Sequence, residues 1–156
     1  MKRWITFDDG PMRIVLDSNI LVRATMGKSG PAAVLRNLIV PPHVFLMSPF
    51  ILVELARVLR YERVRPVHGL SDDEIDAYLL LLTQNAEIVD VSATDLDVVP
   101  NDPDDNPIVA TAVVGAADVL CTLDRHLRHV DVKRYCAERH IDVLTDVELL
   151  ERLRAG

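Results

Sequence analysis

Four acids, Asp17, Glu54, Asp105 and Asp124, stand where carboxylates can act together. Asp17 ends the apolar run Ile14-Val15-Leu16 and is followed by Ser18 and Asn19. Glu54 falls at the margin of an apolar stripe formed by Ile51, Leu52, Leu55, Val58 and Leu59 at helical spacing. Asp105 directly precedes Asn106-Pro107-Ile108-Val109-Ala110-Thr111-Ala112, and Asp124 lies just past Val119-Leu120-Cys121-Thr122. Carboxylates that converge repel one another, and they are tolerated together only when protons or cations neutralise them. Oxygen-only ligands select Mg²⁺ or Mn²⁺ over Zn²⁺. Mg²⁺ keeps waters and is completed by substrate phosphates, and such a metal lowers the pKa of a bound water and holds charge developing at phosphorus. The expected chemistry is metal-assisted phosphodiester hydrolysis.

Each acid also has a plain structural account. Asp17 can cap the following helix, Asp105 can be a helix-start acid stabilised by the helix dipole, and Asp124 can be a turn residue. Glu54 can pair with Arg57 or Tyr61 on its own helix. The joint arrangement is less expected by chance than any one position. Competing chemistries fit worse. None of the five histidines sits in a catalytic motif, and Gly27-Lys28-Ser29-Gly30 lacks the first glycine of a phosphate-binding loop. A phosphatase of the haloacid-dehalogenase type wants a second Asp two residues after Asp17, where this chain has Asn19.

The elements that must position these acids alternate between strand and helix. Strands are expected over 13–17, 43–47, 87–91, 118–122 and 141–144. Helices are expected over 20–26, 31–39, 49–63, 71–82, 106–114 and 132–140, with a last one opened by Thr145-Asp146-Val147-Glu148. Ser48-Pro49 is a helix start, and Ser71-Asp72-Asp73-Glu74 and Thr145…Glu148 are capping-box patterns. Residues 95–105, acidic and holding Pro100 and Pro103, are expected as a loop. The fold class is α/β: a three-layer α/β/α sandwich around a mostly parallel sheet of four to five strands. Ligands in such sheets bind outside the carboxyl ends of the strands, where three of the four acids fall.

With 156 residues the chain suits one domain, here 13–156 preceded by a short arm over 1–12. It is 49% hydrophobic but only 4% aromatic, so its core is aliphatic. Cys121 and Cys136 form no disulfide framework and no zinc spacing. A signal peptide and membrane-spanning runs are not expected, and the setting is expected to be cytoplasmic. A net charge of −7 argues against a general nucleic-acid coat. It is compatible with a nuclease whose metal restores local positive charge.

The ordered pieces Ile14-Val15-Leu16-Asp17-Ser18-Asn19, Ser48-Pro49 with Glu54-Leu55, Asp105 through Ala112, and Ala117-Asp118-Val119-Leu120-Cys121-Thr122-Leu123-Asp124 resemble a PIN domain, the ribonuclease fold that includes VapC-type toxins of toxin–antitoxin pairs. The resemblance covers residues 13–150. It implies a metal-dependent endoribonuclease acting on RNA, with Asp17, Glu54, Asp105 and Asp124 as the Mg²⁺- or Mn²⁺-binding catalytic acids. Ser18, Asn19 and Thr122 would be polar groups that orient them. The family's spacing before Ala110-Thr111-Ala112 selects Asp105 over Asp102 and Asp104, and Asp118 reads as structural. Arg57, Arg60 and Arg125 are the candidate RNA contacts, with Arg63 and Arg65 beside the first two and Arg128, Lys133 and Arg134 beside the third. Their alternative account is a solvated helix face. A toxin implies an antitoxin partner. The Leu79-Leu80-Leu81-Leu82 run exceeds one core-facing stripe, so that partner or a second subunit in a homodimer is expected on 53–61 and 75–82. Two other functions stay open: a catalytically silent PIN-like binding or scaffold module, and a nuclease acting on structured DNA.

Overall fold

The structure is a computed structural model that describes residues 10–100 and 102–155. Most of the expected arm over 1–12 therefore lies outside the described residues. Met12 is already buried in the core, and its N–H donates to His43 Nδ1 at 3.1 Å.

Five strands, β1 (Arg13–Leu16), β2 (Val44–Met47), β3 (Ala86–Ile88), β4 (Val119–Cys121) and β5 (Asp142–Leu144), form a sheet of order β3-β2-β1-β4-β5 with every pairing parallel. Ile14 and Val15 are adjacent, point to opposite faces and are both fully buried, so layers cover both sides of the sheet. The chain runs outward from β1 through β2 to β3, then returns to lay β4 and β5 on the other side. The strand order thus reverses between β1 and β4, and their carboxyl ends flank the crevice where α/β folds place ligands.

The helices are α1 (Ser18–Arg23), α2 (Pro31–Leu38), α3 (Pro49–Leu59), α4 (Arg65–His68), α5 (Asp72–Asn85), α6 (Asn106–Val114), α7 (Val130–Ala137) and α8 (Asp146–Ala155). The capping signals are realised. Ser48 Oγ accepts from Ile51 N–H with Pro49 in the first turn, and Ser71 with Glu74 closes a capping box on α5. Thr145 and Glu148 reciprocate on α8, at 2.8 and 3.2 Å. Helix α6 is buried along most of its length and packs across β1, β2 and β4.

Several boundaries differ from expectation: α1 ends at Arg23, α5 runs on to Asn85 and α7 ends at Ala137, and four other differences are instructive. α3 ends at Leu59, not 63, because Arg60-Tyr61-Glu62-Arg63 continues no buried stripe. The short α4 follows, held by His68, whose ring contacts the Leu59 carbonyl and accepts from Leu70 N–H, each at 2.8 Å. α1 begins at Ser18 because Asp17 itself occupies the N-cap. α7 starts at Val130, two residues early, because His129 Nδ1 caps Asp131 N–H at 3.1 Å. Finally, β3 occupies Ala86–Ile88, pairing Ala86 with Phe45 at the end of α5.

Helix α6 approaches the sheet closely at its end. A Cβ on Gly115 would meet the Thr111 carbonyl oxygen at 2.9 Å and the side chains of Leu46 and Val89 at 3.1 Å. Gly115→Ala is therefore expected to cost about 1–3 kcal/mol by overpacking. That corresponds to roughly 3–10 °C in Tm by calorimetry. Gly30→Ser, which supplies a side-chain cap to α2 where nothing among the described residues lies within 4 Å, should leave Tm level or raise it. Equal Tm values for Gly115→Ala and wild type would contradict the close approach.

Candidate metal centre

Asp17 continues the ladder one residue beyond β1, its N–H donating to the Cys121 carbonyl at 3.0 Å. This drives its side chain into the crevice between β1 and β4, where it is only 5% exposed. Both oxygens are held. Oδ2 accepts from the Thr122 hydroxyl at 2.7 Å, and Oδ1 accepts from Ser18 N–H at 2.7 Å. Ser18 Oγ donates to Glu54 Oε1 at 2.8 Å, bringing α3 to the same place. Thr122 Oγ1 also accepts from Asp124 N–H at 3.0 Å, so one hydroxyl connects the backbone of one acid to the carboxylate of another. Asp124 Oδ1 accepts from His126 N–H at 2.7 Å.

The opposite wall is the loop entering α6. A turn of 3₁₀ helix over Pro103–Asp105 carries Asp105 into α6, in the segment expected as plain loop. One carboxylate oxygen from each of Asp102, Asp105 and Asp124 lies within 4.8 Å of the others. Asn106 fastens this wall: its Oδ1 accepts from Val98 and Val99 N–H at 2.7 and 2.9 Å, and its Nδ2 donates to the Pro103 carbonyl at 3.0 Å. The hydroxyls of Ser48 and Thr111, both buried and 2.8 Å apart, tie the start of α3 to α6.

The electrostatics are those of acids short of a counter-charge. Burial pushes the Asp17 carboxyl up to about 6; the hydrogen bonds from Thr122 and Ser18 oppose this, and the charges of Glu54 and Asp124 add to it. Burial pushes Asp105 further, to about 8, aided by the facing carboxyl of Asp102 and by the charges of Asp124, Asp102 and Asp17. Asp105 Oδ2 is buried with no hydrogen-bond donor among the described residues. Against Asp102 it gains one only when one of the two carboxyls carries a proton. A divalent cation can take the place of such protons. All the donor atoms are carboxylate oxygens, and they fit a hard cation of the Mg²⁺ or Mn²⁺ kind.

The sequence-derived residues distribute as follows. Asp17, Glu54 and Asp124 are linked through Ser18 and Thr122, and Asp105 joins through Asp124. Asp102, passed over in the sequence, belongs to the acid cluster, and so does the fastening by Asn106. A polar residue opening an otherwise apolar helix was its only sequence signal. Asn19 makes no hydrogen bond through Oδ1 among the described residues, although that oxygen is buried. Arg57 Nη2 lies 3.7 Å from Glu54 Oε2 at the rim, and Arg125 is exposed beside Asp124. Arg60 instead binds acids of α5, Asp76 at 2.7 Å and Asp72 at 3.9 Å, and Arg65 also binds Asp72. Asp118 lies at the far end of β4, where its Oδ2 accepts from Arg13 N–H at 2.8 Å.

A family model described as PIN domain matches residues 13–126. The fold is similar to that of a chain in the crystal structure of VapBC2 from Rickettsia felis bound to a DNA fragment from their promoter, with a TM-score of 0.54 and 15% sequence identity over 86% of this chain and 98% of that one. At that identity the likeness is one of fold. No curated protein matches the sequence.

The raised pKa values of Asp17 and Asp105 set the pH dependence of the metal-free protein. The folded values, about 6 for Asp17 and about 8 for Asp105, both exceed the ordinary 3.8. Each contribution to stability is thus complete below the ordinary value and is lost as pH rises, through about 6 for Asp17 and about 8 for Asp105. Asp17 alone should cost the metal-free protein roughly 1–2 kcal/mol between pH 5 and 7 in urea unfolding, and Asp105 should deepen that loss and extend it to higher pH. Carboxylates held low, such as Asp72 and Glu87, act only at lower pH. Asp17→Asn should make the profile shallower without levelling it, because Asp105 still titrates, whereas saturating Mn²⁺ should level it. Metal-free wild type growing more stable from pH 5 to 7 would count against a proton-sharing site.

Proposed function

Because this chain belongs to the PIN-domain family, a family of nucleases, we propose that it is a metal-dependent endoribonuclease and the toxin of a toxin–antitoxin pair. The observation that carries the metal-dependent reading is the convergence of Asp102, Asp105 and Asp124 within 4.8 Å of one another, with the Asp17 charge acting on Asp105 and with Asp105 Oδ2 buried and lacking a donor among the described residues. In this proposal Asp17, Glu54, Asp105 and Asp124 hold Mg²⁺ or Mn²⁺, and Asp102 joins them. When bound, the ion supplies a water of lowered pKa and positive charge facing the phosphate. Thr122 fixes Asp17 relative to Asp124, and Ser18 fixes Glu54. Arg57 and Arg125, at the rim, meet the RNA phosphates, whereas Arg60 serves to fasten α3 to α5. The products are a 5′-phosphate and a 3′-hydroxyl. The fold similarity to a chain of VapBC2 supports an antitoxin partner. Val53 on α3 and Leu80 and Leu81 on α5 are at least half exposed and offer apolar surface to that partner or to a second copy.

Incubation with single-stranded RNA and Mn²⁺ should give cleavage that EDTA stops. Asp17→Asn and Asp124→Asn should each abolish it, while circular dichroism shows the fold intact. Thr122→Val, which keeps the shape and loses the hydroxyl, should cost roughly 10–100-fold in rate. Parallel assays on structured DNA separate the nucleic acids. Cleavage that persists in EDTA and in both Asn variants would end the proposal. Light scattering should give twice the chain mass, and a strict monomer would remove the homodimer.

A further inference from the structure

A groove of about 700 Å³ lies beside the acid cluster, between the start of α3 and residues 90–97. That volume is within the usual range for small-ligand sites. Phe50, half-buried, lines it together with Pro107 and Ala110. Phe50 and Pro49 also line a second hollow of about 460 Å³ that contains Glu54 and Arg57. The two hollows share Pro49 and Phe50 in their walls, so Phe50 stands between the Glu54 side and the loop groove, which Pro103 and Asn106, next to Asp105, also line.

The two ends differ in charge. The Glu54 end carries Arg57 and adjoins the candidate metal centre. The loop end presents Asp90, Asp95 and Asp97 with the hydroxyls of Ser92 and Thr94, and no Lys or Arg lines it among the described residues. The Asp90 carboxyl accepts from Ser92 N–H at 2.9 Å, which holds its pKa below the ordinary value and keeps it an acceptor. Such a wall repels phosphates. It accepts hydrogen bonds, and an aromatic ring beside it offers a stacking platform. Guanine presents N1–H and N2–H₂ side by side, so one carboxylate can accept both. Uracil presents one N–H between two carbonyl oxygens, which a carboxylate opposes.

We propose that this groove is a base pocket for a guanine of single-stranded RNA, stacked on Phe50 and read by the loop carboxylates, with its phosphate directed to Arg57 and the acid cluster. The proposal rests on the ribonuclease reading above and adds a substrate preference to it. A basic peptide also suits acidic walls. RNA is favoured because the adjoining hollow, which shares Pro49 and Phe50 with the groove, holds Arg57, a cation for the phosphate.

The test compares binding of two hexaribonucleotides, all-uridine and the same with one central guanosine, by fluorescence anisotropy in Ca²⁺. The guanosine RNA should bind roughly tenfold more tightly. Phe50→Ala should reduce that preference to within about twofold, and so should Asp95→Asn combined with Asp97→Asn, whose exposed positions spare the core. Phe50→Trp should keep it, since the platform survives. Equal binding of the two RNAs by wild type overturns the pocket, as does a preference that survives both variants. Displacement of neither RNA by a hexa-arginine peptide that binds at Asp95 and Asp97 also overturns it and assigns the groove to a basic segment. Metal-dependent cleavage without guanine preference removes the pocket and leaves the nuclease. Guanine preference without cleavage does the reverse.

Discussion

The loss of water around Asp17 and Asp105, with other carboxylates close by, is the constraint around which this molecule is arranged. Asp17 is held at the end of the central strand, almost out of water, with Glu54 and Asp124 near enough to raise its pKa. Burying such a group unpaired is costly. The fold manages this in two ways. It surrounds Asp17 with donors, Thr122 and Ser18, and it leaves the cluster a proton's worth of freedom at Asp105. The arrangement opposes a tighter packing of acids and favours anything positive that enters.

The scaffold answers that constraint with rigidity. β1 is flanked by parallel neighbours on both edges, its apolar residues are fully enclosed, and α6 lies across three strands. Ser48 with Thr111, and Asn106 with the 98–99 backbone, lock the two segments that carry Glu54 and Asp105. Ser48 and Asn106 stand at the starts of α3 and α6. Ser48 Oγ accepts from Ile51 N–H as well as from Thr111, so one hydroxyl caps a helix and braces the segment that carries Glu54.

Much of this was legible in the sequence because it is local. Ser48-Pro49, Ser71 to Glu74 and Thr145 to Glu148 announce helix starts within four residues, and Ile14-Val15-Leu16 announces a strand covered on both faces. The parallel sheet follows from the alternation. The expected α3 overran to 63 because helix propensity persists past Leu59, while tertiary contacts of Arg60 and His68 turn the chain. Asp102 was passed over since its place beside Asp105 and Asp124 depends on a 3₁₀ turn and on Asn106 reaching back to residues 98 and 99. The fate of Arg60 was likewise hidden, because its partners on α5 lie 12 and 16 residues away across a turn.

The strand order carries a consequence for synthesis. β1 is made well before its neighbour β4, and the hydroxyl that grips Asp17 comes from 105 residues later. Chains fold from the N-terminus as they leave the ribosome. A growing chain that already holds Asp17, Glu54 and Asp105 still has an open edge on β1 and lacks both Thr122 and Asp124. The cluster is completed only when the segment from Thr122 to Asp124 emerges. Such a chain carries its own delay: truncated or stalled products contain most of the acids and cannot assemble them.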